Sequence, residues 1–399
     1  MINEVQRTLL SLLGSNLFSV PFTPDPDTDW QAVFKESCMQ SVVICAFNNH
    51  NSLPLDPETR EAVVKRIRKA TLSNIICFKN HSYVHSLMTE NDIPYCILKG
   101  AVSAHYYDEP LCRCMGDVDF YVHPDDLEKA QAVFEREGFV CTDDNHAYHI
   151  GLKKDNIHCE MHFAPIGEPR GRVGDIYRKY WDDIRECSSL VCEPLAKYRA
   201  YSPFHHGLIS LAHIQQHLVV EGIGLRHLCD WAVFANSFSE EDFAEIFEER
   251  LKRVGLWKFA CLLGLAASEY LGLPYKSWMG DERDVASELM NDILTGGNFG
   301  RKDRQRRYEA LMISDYGKDG FGTNRFVQVF RSLNRMVKNR WKIVEKCPLL
   351  YPVGWLYIPL AYFVRLLLGK RKLDLADTYK QSGKRKELYK KLKLFEPEK

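Results

Sequence analysis

The chain has 399 residues, 45% hydrophobic and 27% charged, which allows two or three domains and argues against a disordered polypeptide. Its thirteen cysteines are scattered with no C-x-x-C pair, against a zinc ribbon or disulfide framework and in keeping with a reducing compartment. The zero net charge conceals a polarity: residues 301–399 hold 25 Lys and Arg against 10 Asp and Glu, a net of +15. That excess is read either as a site for an anionic partner or as a solvated basic helical surface.

The first residues, Met1 to Arg7, include an early acid and no apolar core of signal-peptide length, so a cytoplasmic protein is expected. Residues 1–90 read as helical. Asp56-Pro57-Glu58-Thr59 is a helix start, followed by Val63, Ile67, Ala70 and Leu72 at roughly helical spacing. Ile93–Leu98 is a short apolar strand that ends at Lys99-Gly100, and Ala101–Tyr107 reads as a helix leaving that glycine. Val118 to Val122 is β-branched and aromatic, and a strand there sends Asp117 and Asp119 to one face. Pro124-Asp125-Asp126 opens a helix with Leu127, Ala130, Val133 and Phe134 on one side and Gly138 as its stop. Strands follow at Phe139–Cys141 and His146–Leu152, and Asp155-Asn156 supplies a turn. The next run alternates cleanly. Ile157, Cys159, Met161 and Phe163 make an apolar face, with His158, Glu160 and His162 opposite.

Two adjacent carboxylates plus a third from another strand are what a pair of divalent cations about 3.5–4 Å apart requires, so phosphoryl or nucleotidyl transfer is the leading expectation. Oxygen ligands suit Mg²⁺ or Mn²⁺. Gly100 allows close backbone approach to phosphate, and the helix after it presents free N–H groups. Lys99 adds a point charge and Arg113 a bidentate fork for the same anion.

From about residue 200 the pattern is helical: Leu208, Leu211, Ala212, Ile214, Leu218 and Val219 mark one helix and Leu225–Phe234 another. His213 and His217 lie one turn apart and face the same way, but zinc needs a third ligand, and Ile214 stands where H-E-x-x-H has its glutamate. Arg226 and Asp230 are spaced for an i,i+4 pair, and Gly296-Gly297-Asn298-Phe299-Gly300 is a break that is read as a turn or as a phosphate cradle. Arg331, Arg335, Lys338 and Lys342 form a basic stripe, with Phe326, Phe330, Leu333, Val337 and Val344 on the other face of the same helix. Residues 347–364 carry no charge. Pro348, Pro352 and Pro359 argue against a spanning helix, leaving packing on the helical region as the reading and peripheral membrane contact as the minority alternative.

The ordered set Leu98-Lys99-Gly100, Arg113, Gly116-Asp117-Val118-Asp119 and Cys159-Glu160-Met161-His162 resembles the uncharacterised nucleotidyltransferase family of the polymerase-beta-like nucleotidyltransferase superfamily. His213-x3-His217, Gly224-Leu225-Arg226 and Asp230-Trp231 extend the resemblance, which covers roughly residues 60–240. One departure is Ala101, where the wider superfamily has serine after the glycine. The resemblance, joined to the element pattern above, implies an α+β fold: a small mixed-sheet nucleotidyltransferase core at 91–165, an N-terminal helical region at 1–90, a helical domain at 166–345 and an apolar, Pro-containing segment with a basic tail at 346–399. It implies transfer of an NMP from an NTP, ATP by abundance, to an acceptor hydroxyl, with release of pyrophosphate. Asp117, Asp119 and Glu160 would hold Mg²⁺ or Mn²⁺, and Glu160 would serve alternatively as base. Lys99, Gly100, Arg113, Gly116, His162, His213, His217 and Arg226 would contact nucleotide or acceptor, His162 by orienting Glu160. The rival is a non-catalytic or antitoxin-like binding protein of the same fold that grips an anionic partner through its basic C-terminal third.

Overall fold

The structure is a computed structural model that describes residues 2–143, 148–167, 171–184, 188–303, 305–306, 334, 337, 340–341, 344, 347–357, 360, 375–394 and 396–398. The basic stripe Arg331, Arg335, Lys338 and Lys342 lies outside the described residues, as do Phe326, Phe330, Leu333 and His146.

The N-terminal region is helical as expected: α1 (Glu4–Phe18), α2 (Trp30–Met39), α3 (Val43–Ala46) and the long α4 (Pro57–Glu90). Asp56 caps α4 by accepting a hydrogen bond from the Thr59 backbone N–H at 2.9 Å, with Pro57 in the first turn where no N–H is needed. Val63 and Ala70 are buried, but Leu72 is 59% exposed. The correction follows from geometry, because two residues along a helix turn the side chain by roughly 200°. The buried stripe of α4 runs on instead through Asn74, Cys77, Phe78 and His81.

Among the described residues, seven strands form one mixed sheet. They are β1 (Tyr95–Ile97), β2 (Val118–Val122), β3 (Val140–Asp143), β4 (His149–Lys154), β5 (Ile157–His162), β6 (Ser189–Cys192) and β7 (Lys197–Ala200), in the spatial order β3-β4-β5-β2-β1-β7-β6. β2 is antiparallel to β1 and parallel to β5. The sheet extends past residue 165, because β7 pairs in parallel with β1 and β6 closes the edge. These two strands have four residues each, and β6 is largely exposed, so no strong alternation marks them in the sequence.

The pleat divides β2 between two cores. Val118, Phe120 and Val122 join Phe78, Val84 and Met88 of α4 and Ala130, Val133 and Phe134 of α6 (Leu127–Arg136). Tyr121 points the other way, into the large core built by α1, α7 (Arg172–Trp181), α8 (Pro203–Val220), α9 (Leu225–Asn236), α10 (Glu240–Val254) and α11 (Trp257–Leu271). Asp119 shares that second direction, which sets it between sheet and helices.

Gly100 turns the chain out of β1 with φ +68°, a backbone conformation that L side chains rarely adopt. A Cβ there would also stand 2.7 Å from His81 Nε2. The helix that follows, α5 (Ala101–Ala104), is a single turn rather than the expected run to Tyr107, and the Ala101 N–H points at His81 Nε2 at 3.4 Å. So short a helix adds little dipole to a phosphate site.

His81 itself is fully buried, with Nδ1 2.7 Å from the Cys77 carbonyl. Burial outweighs that bond and the nearby Asp119, and pulls its pKa down to about 4. A folded-state value below the ordinary 6.5 means that the ring must stay neutral in the native state. Its stabilisation is therefore complete above pH 6.5 and is lost as pH falls toward 4. The loss amounts to roughly 3 kcal/mol by pH 4 at one pKa unit per 1.36 kcal/mol. Urea denaturation at pH 7 and 4.5 should show this slope, and His81→Gln, which has no titrating ring, should make it shallower, with the remainder coming from other buried neutral rings such as His206 and His217. An identical slope in both proteins would assign the acid sensitivity elsewhere.

At the C-terminal side, residues 351–357 are helical, while Leu349, Val353, Leu356 and Leu360 are exposed rather than packed on the helical region. Gly354 packs on Val337. Among the described residues no helix is long and apolar enough to cross a membrane.

Candidate active site

Parallel pairing of β2 with β5 sets Asp119 opposite Glu160, and Asp117 enters from the residue just ahead of β2. The result is one acidic cluster: carboxylate oxygens of Asp117, Asp119 and Glu160 all lie within 4.8 Å of one another. Asp119 is buried at 3% exposure, whereas Asp117 is exposed at the mouth and the Glu160 side chain is 34% exposed.

Such crowding has electrostatic consequences. The Asp119 charge, helped by the restricted water of the cleft, pushes Asp117 up to about 6, against the pull of Lys99. Burial alone would raise Asp119 as well. The Lys99 ammonium, with Nζ 2.8 Å from Asp119 Oδ1, and His162, with Nε2 3.3 Å from the same oxygen, win instead and hold it well below the usual carboxylate range. Burial pulls Lys99 down, but Asp119, Asp117 and Glu160 outweigh it and keep the ammonium above its ordinary value. Lys99 thus lies against the carboxylates as a tethered counter-ion. Its Nζ also stands 3.2 Å from His213 Nε2 on α8, which links sheet to helical wall.

His213 and His217 do share a face, with their Nε2 atoms 3.0 Å apart, and His227 of α9 joins them. Burial first, then the Lys99 charge, drives His213 well below its ordinary value and takes His217 down to about 3, so these rings are neutral. Among the described residues they do not belong to a group of three donors that could hold a metal.

Arg113 departs from the expected phosphate fork. Its Nε and Nη2 donate to the two oxygens of Asp230 at 2.8 and 2.9 Å, and Nη1 donates to the Gly100 carbonyl at 3.3 Å. Tyr107 Oη adds a 2.7 Å bond to the same carboxylate. With Asp230 so engaged, Arg226 makes no ion pair with it and donates instead to the Cys114 carbonyl at 3.3 Å, its guanidinium over the Phe299 ring. Burial lowers Arg226 from its ordinary value, with Arg113 adding to the effect. Gly116 lines the cleft, but a Cβ there would meet nothing within 4 Å, so an alanine fits.

All eleven residues singled out from the sequence border one cleft of about 530 Å³, a size typical of small-molecule sites. Residues that the sequence did not single out complete it: Arg66 from α4, Tyr148 and His149 at the start of β4, His227 from α9 and Arg301. Asn298 and Phe299 bring the glycine-rich break into the same wall, Phe299 with φ +56°. Only that break carried a signal in the chain. Arg66 resembles any helix-surface arginine in the sequence, and Arg301, at the end of the break, stays exposed while it donates to the Cys38 carbonyl and Ser41 Oγ.

No curated protein matches the chain. Residues 26–272, more than half of the chain and inclusive of every carboxylate and histidine just described, match the model of a family described as uncharacterised nucleotidyltransferase, and the chain belongs to that family.

Proposed function

We propose that this protein transfers a nucleoside monophosphate from an NTP to an acceptor hydroxyl and releases pyrophosphate. The observation that carries the reading is the convergence of Asp117, Asp119 and Glu160 from two strands. Three carboxylates that close repel one another, as the raised Asp117 shows, and a cluster of this kind is stable only against cations. The donor set is all oxygen and partly open to water, which fits Mg²⁺ or Mn²⁺. Bound there, divalent ions supply charge neutralisation for the triphosphate and for the attacking oxygen.

The chain's own residues supply position and field. The acceptor oxygen forms a bond to the α-phosphorus while the bond to the α–β bridging oxygen breaks, and pyrophosphate leaves. Glu160, the carboxylate half open to the cleft, takes the acceptor proton. Lys99, already beside the carboxylates, neutralises phosphate charge, and Arg66, Arg226 and Arg301 ring the same cleft as further cations. The neutral wall of His213 and His217 offers hydrogen bonds to the bound nucleotide or acceptor. Most of the rate would come from positioning and electrostatic stabilisation.

The test is incubation of the purified full chain with each α-labelled NTP and cell extract, with Mg²⁺ or Mn²⁺ and without either. Metal-dependent label transfer with stoichiometric pyrophosphate is expected, with ATP the first candidate donor. Absence of both transfer and pyrophosphate with all four NTPs in either metal would overturn the proposal.

A further inference from the structure

The sheet builds a second donor cluster beside the three carboxylates. In the antiparallel β4–β5 ladder His149 stands opposite His162, and their ring centroids are 5.0 Å apart. Glu160 is the next residue on that face, and the position across from it is Gly151, where a Cβ would stand 2.7 Å from Thr142 Oγ1. Glu160 Oε2 is 3.4 Å from His162 Nε2 and 3.8 Å from His149 Nδ1. One ligand atom from each of the three residues lies within 4.8 Å of the others.

Those separations are long for hydrogen bonds, whose N···O distances centre on about 2.9–3.0 Å. They are close to what a shared ion imposes. Donors at about 2.0–2.2 Å from one tetrahedral ion stand roughly 3.3–3.5 Å from each other. His162 Nε2 is also nearly equidistant from Asp119 Oδ1, at 3.3 Å, and Glu160 Oε2, so it bridges the two carboxylates. The imidazoles are well enclosed, at 12% and 3% side-chain exposure, while Glu160 leaves one side open to the cleft.

We propose that His149, Glu160 and His162 form a divalent-cation site with mixed nitrogen and oxygen ligands, selective for a transition ion of the Mn²⁺ or Zn²⁺ class over Mg²⁺. Imidazole nitrogen is a poor ligand for Mg²⁺ and suits Zn²⁺ and the later first-row ions, while Mn²⁺, although oxygen-preferring, stands above Mg²⁺ in affinity for a nitrogen-containing set. Three protein ligands with one open side also match the form of a site that exchanges water or substrate. The site shares Glu160 with the carboxylate cluster of the proposed reaction, but it stands on its own geometry and requires no particular NTP or acceptor.

The experiment is pulsed EPR on the metal-stripped full chain loaded with Mn²⁺ and no nucleotide. Hyperfine coupling to directly bonded imidazole nitrogen is expected, and it should survive excess Mg²⁺. His149→Ala should reduce the coupling and weaken Mn²⁺ binding by at least about tenfold, since even outer-shell losses at metal sites cost about 10- to 100-fold. Asp117→Asn, outside this donor set, should keep the coupling and guards against a His149 variant that fails to fold. Mn²⁺ bound by the wild-type chain without nitrogen coupling, or coupling abolished by Mg²⁺ at comparable concentration, would overturn the assignment. Coupling without nucleotidyl transfer would retain this site and discard the reaction, whereas transfer in Mg²⁺ with no coupling would do the reverse.

Discussion

Asp119→Asn should lower nucleotidyl transfer at least about a hundredfold, comparable to the loss of a principal electrostatic contact in other active sites. Asparagine has nearly the shape of aspartate, so the buried position stays filled and β2 keeps its packing. What disappears is the charge. Asp119 is the most deeply placed of the three carboxylates, paired at 2.8 Å with Lys99 and held ionised by it and by His162. A neutral amide is a weak ligand for a hard cation and offers the ammonium a hydrogen-bond acceptor without a counter-charge. Lys99 keeps Asp117 and Glu160 nearby, which limits the damage to the fold. The check is pyrophosphate release alongside divalent-ion binding and a thermal melt. Normal pyrophosphate release in this variant would remove Asp119 from the mechanism.

Arg113→Ala should destabilise the protein by about 3–5 kcal/mol, the usual result when one partner of a buried ion pair is removed and the other is stranded. Both groups are nearly inaccessible, and the fork meets both Asp230 oxygens, so the remaining carboxylate would lose two charge-assisted bonds. The spacing of motifs suggests a different outcome, in which Arg113 grips phosphate and its loss weakens NTP binding. The geometry makes it a strut instead, tying α9 to the Gly100 turn through Asp230 and the Gly100 carbonyl. A double-mutant cycle with Asp230→Ala, read by chemical denaturation, should give a large coupling energy. If Arg113→Ala leaves the denaturation midpoint in place and weakens only NTP binding, the fork serves the ligand.

The contrast between these two residues shows what the sequence makes legible. Asp117-x-Asp119 and Cys159-Glu160-Met161-His162 are readable because strand alternation has a period of two, so polar and apolar faces separate on sight. Their union is less readable. It depends on a parallel β2–β5 pairing across some forty residues, which no local pattern dictates. The Arg113–Asp230 pair spans 117 positions and competes with an equally plausible local pairing of Arg226 with Asp230. Strands β6 and β7 are short and partly exposed, so hydrophobic burial writes only a faint pattern into them. Leu72 shows the opposite failure, an apolar residue near a helical stripe that the true turn angle leaves in water.

β2 is the fourth of seven strands, hydrogen-bonded on both sides and clamped between two hydrophobic clusters. A segment so enclosed opens only with the whole molecule, and its amides belong to the slowest class in hydrogen exchange. The carboxylates therefore ride on the stiffest part of the protein. The opposite side of the cleft is assembled from helix ends and a glycine-rich break, with Arg226 drawn from the start of α9 and Phe299 and Arg301 from the break. Adaptation to different acceptors can proceed on that side, by changes in stiffness and shape, while the chemistry stays anchored to a strand that barely breathes.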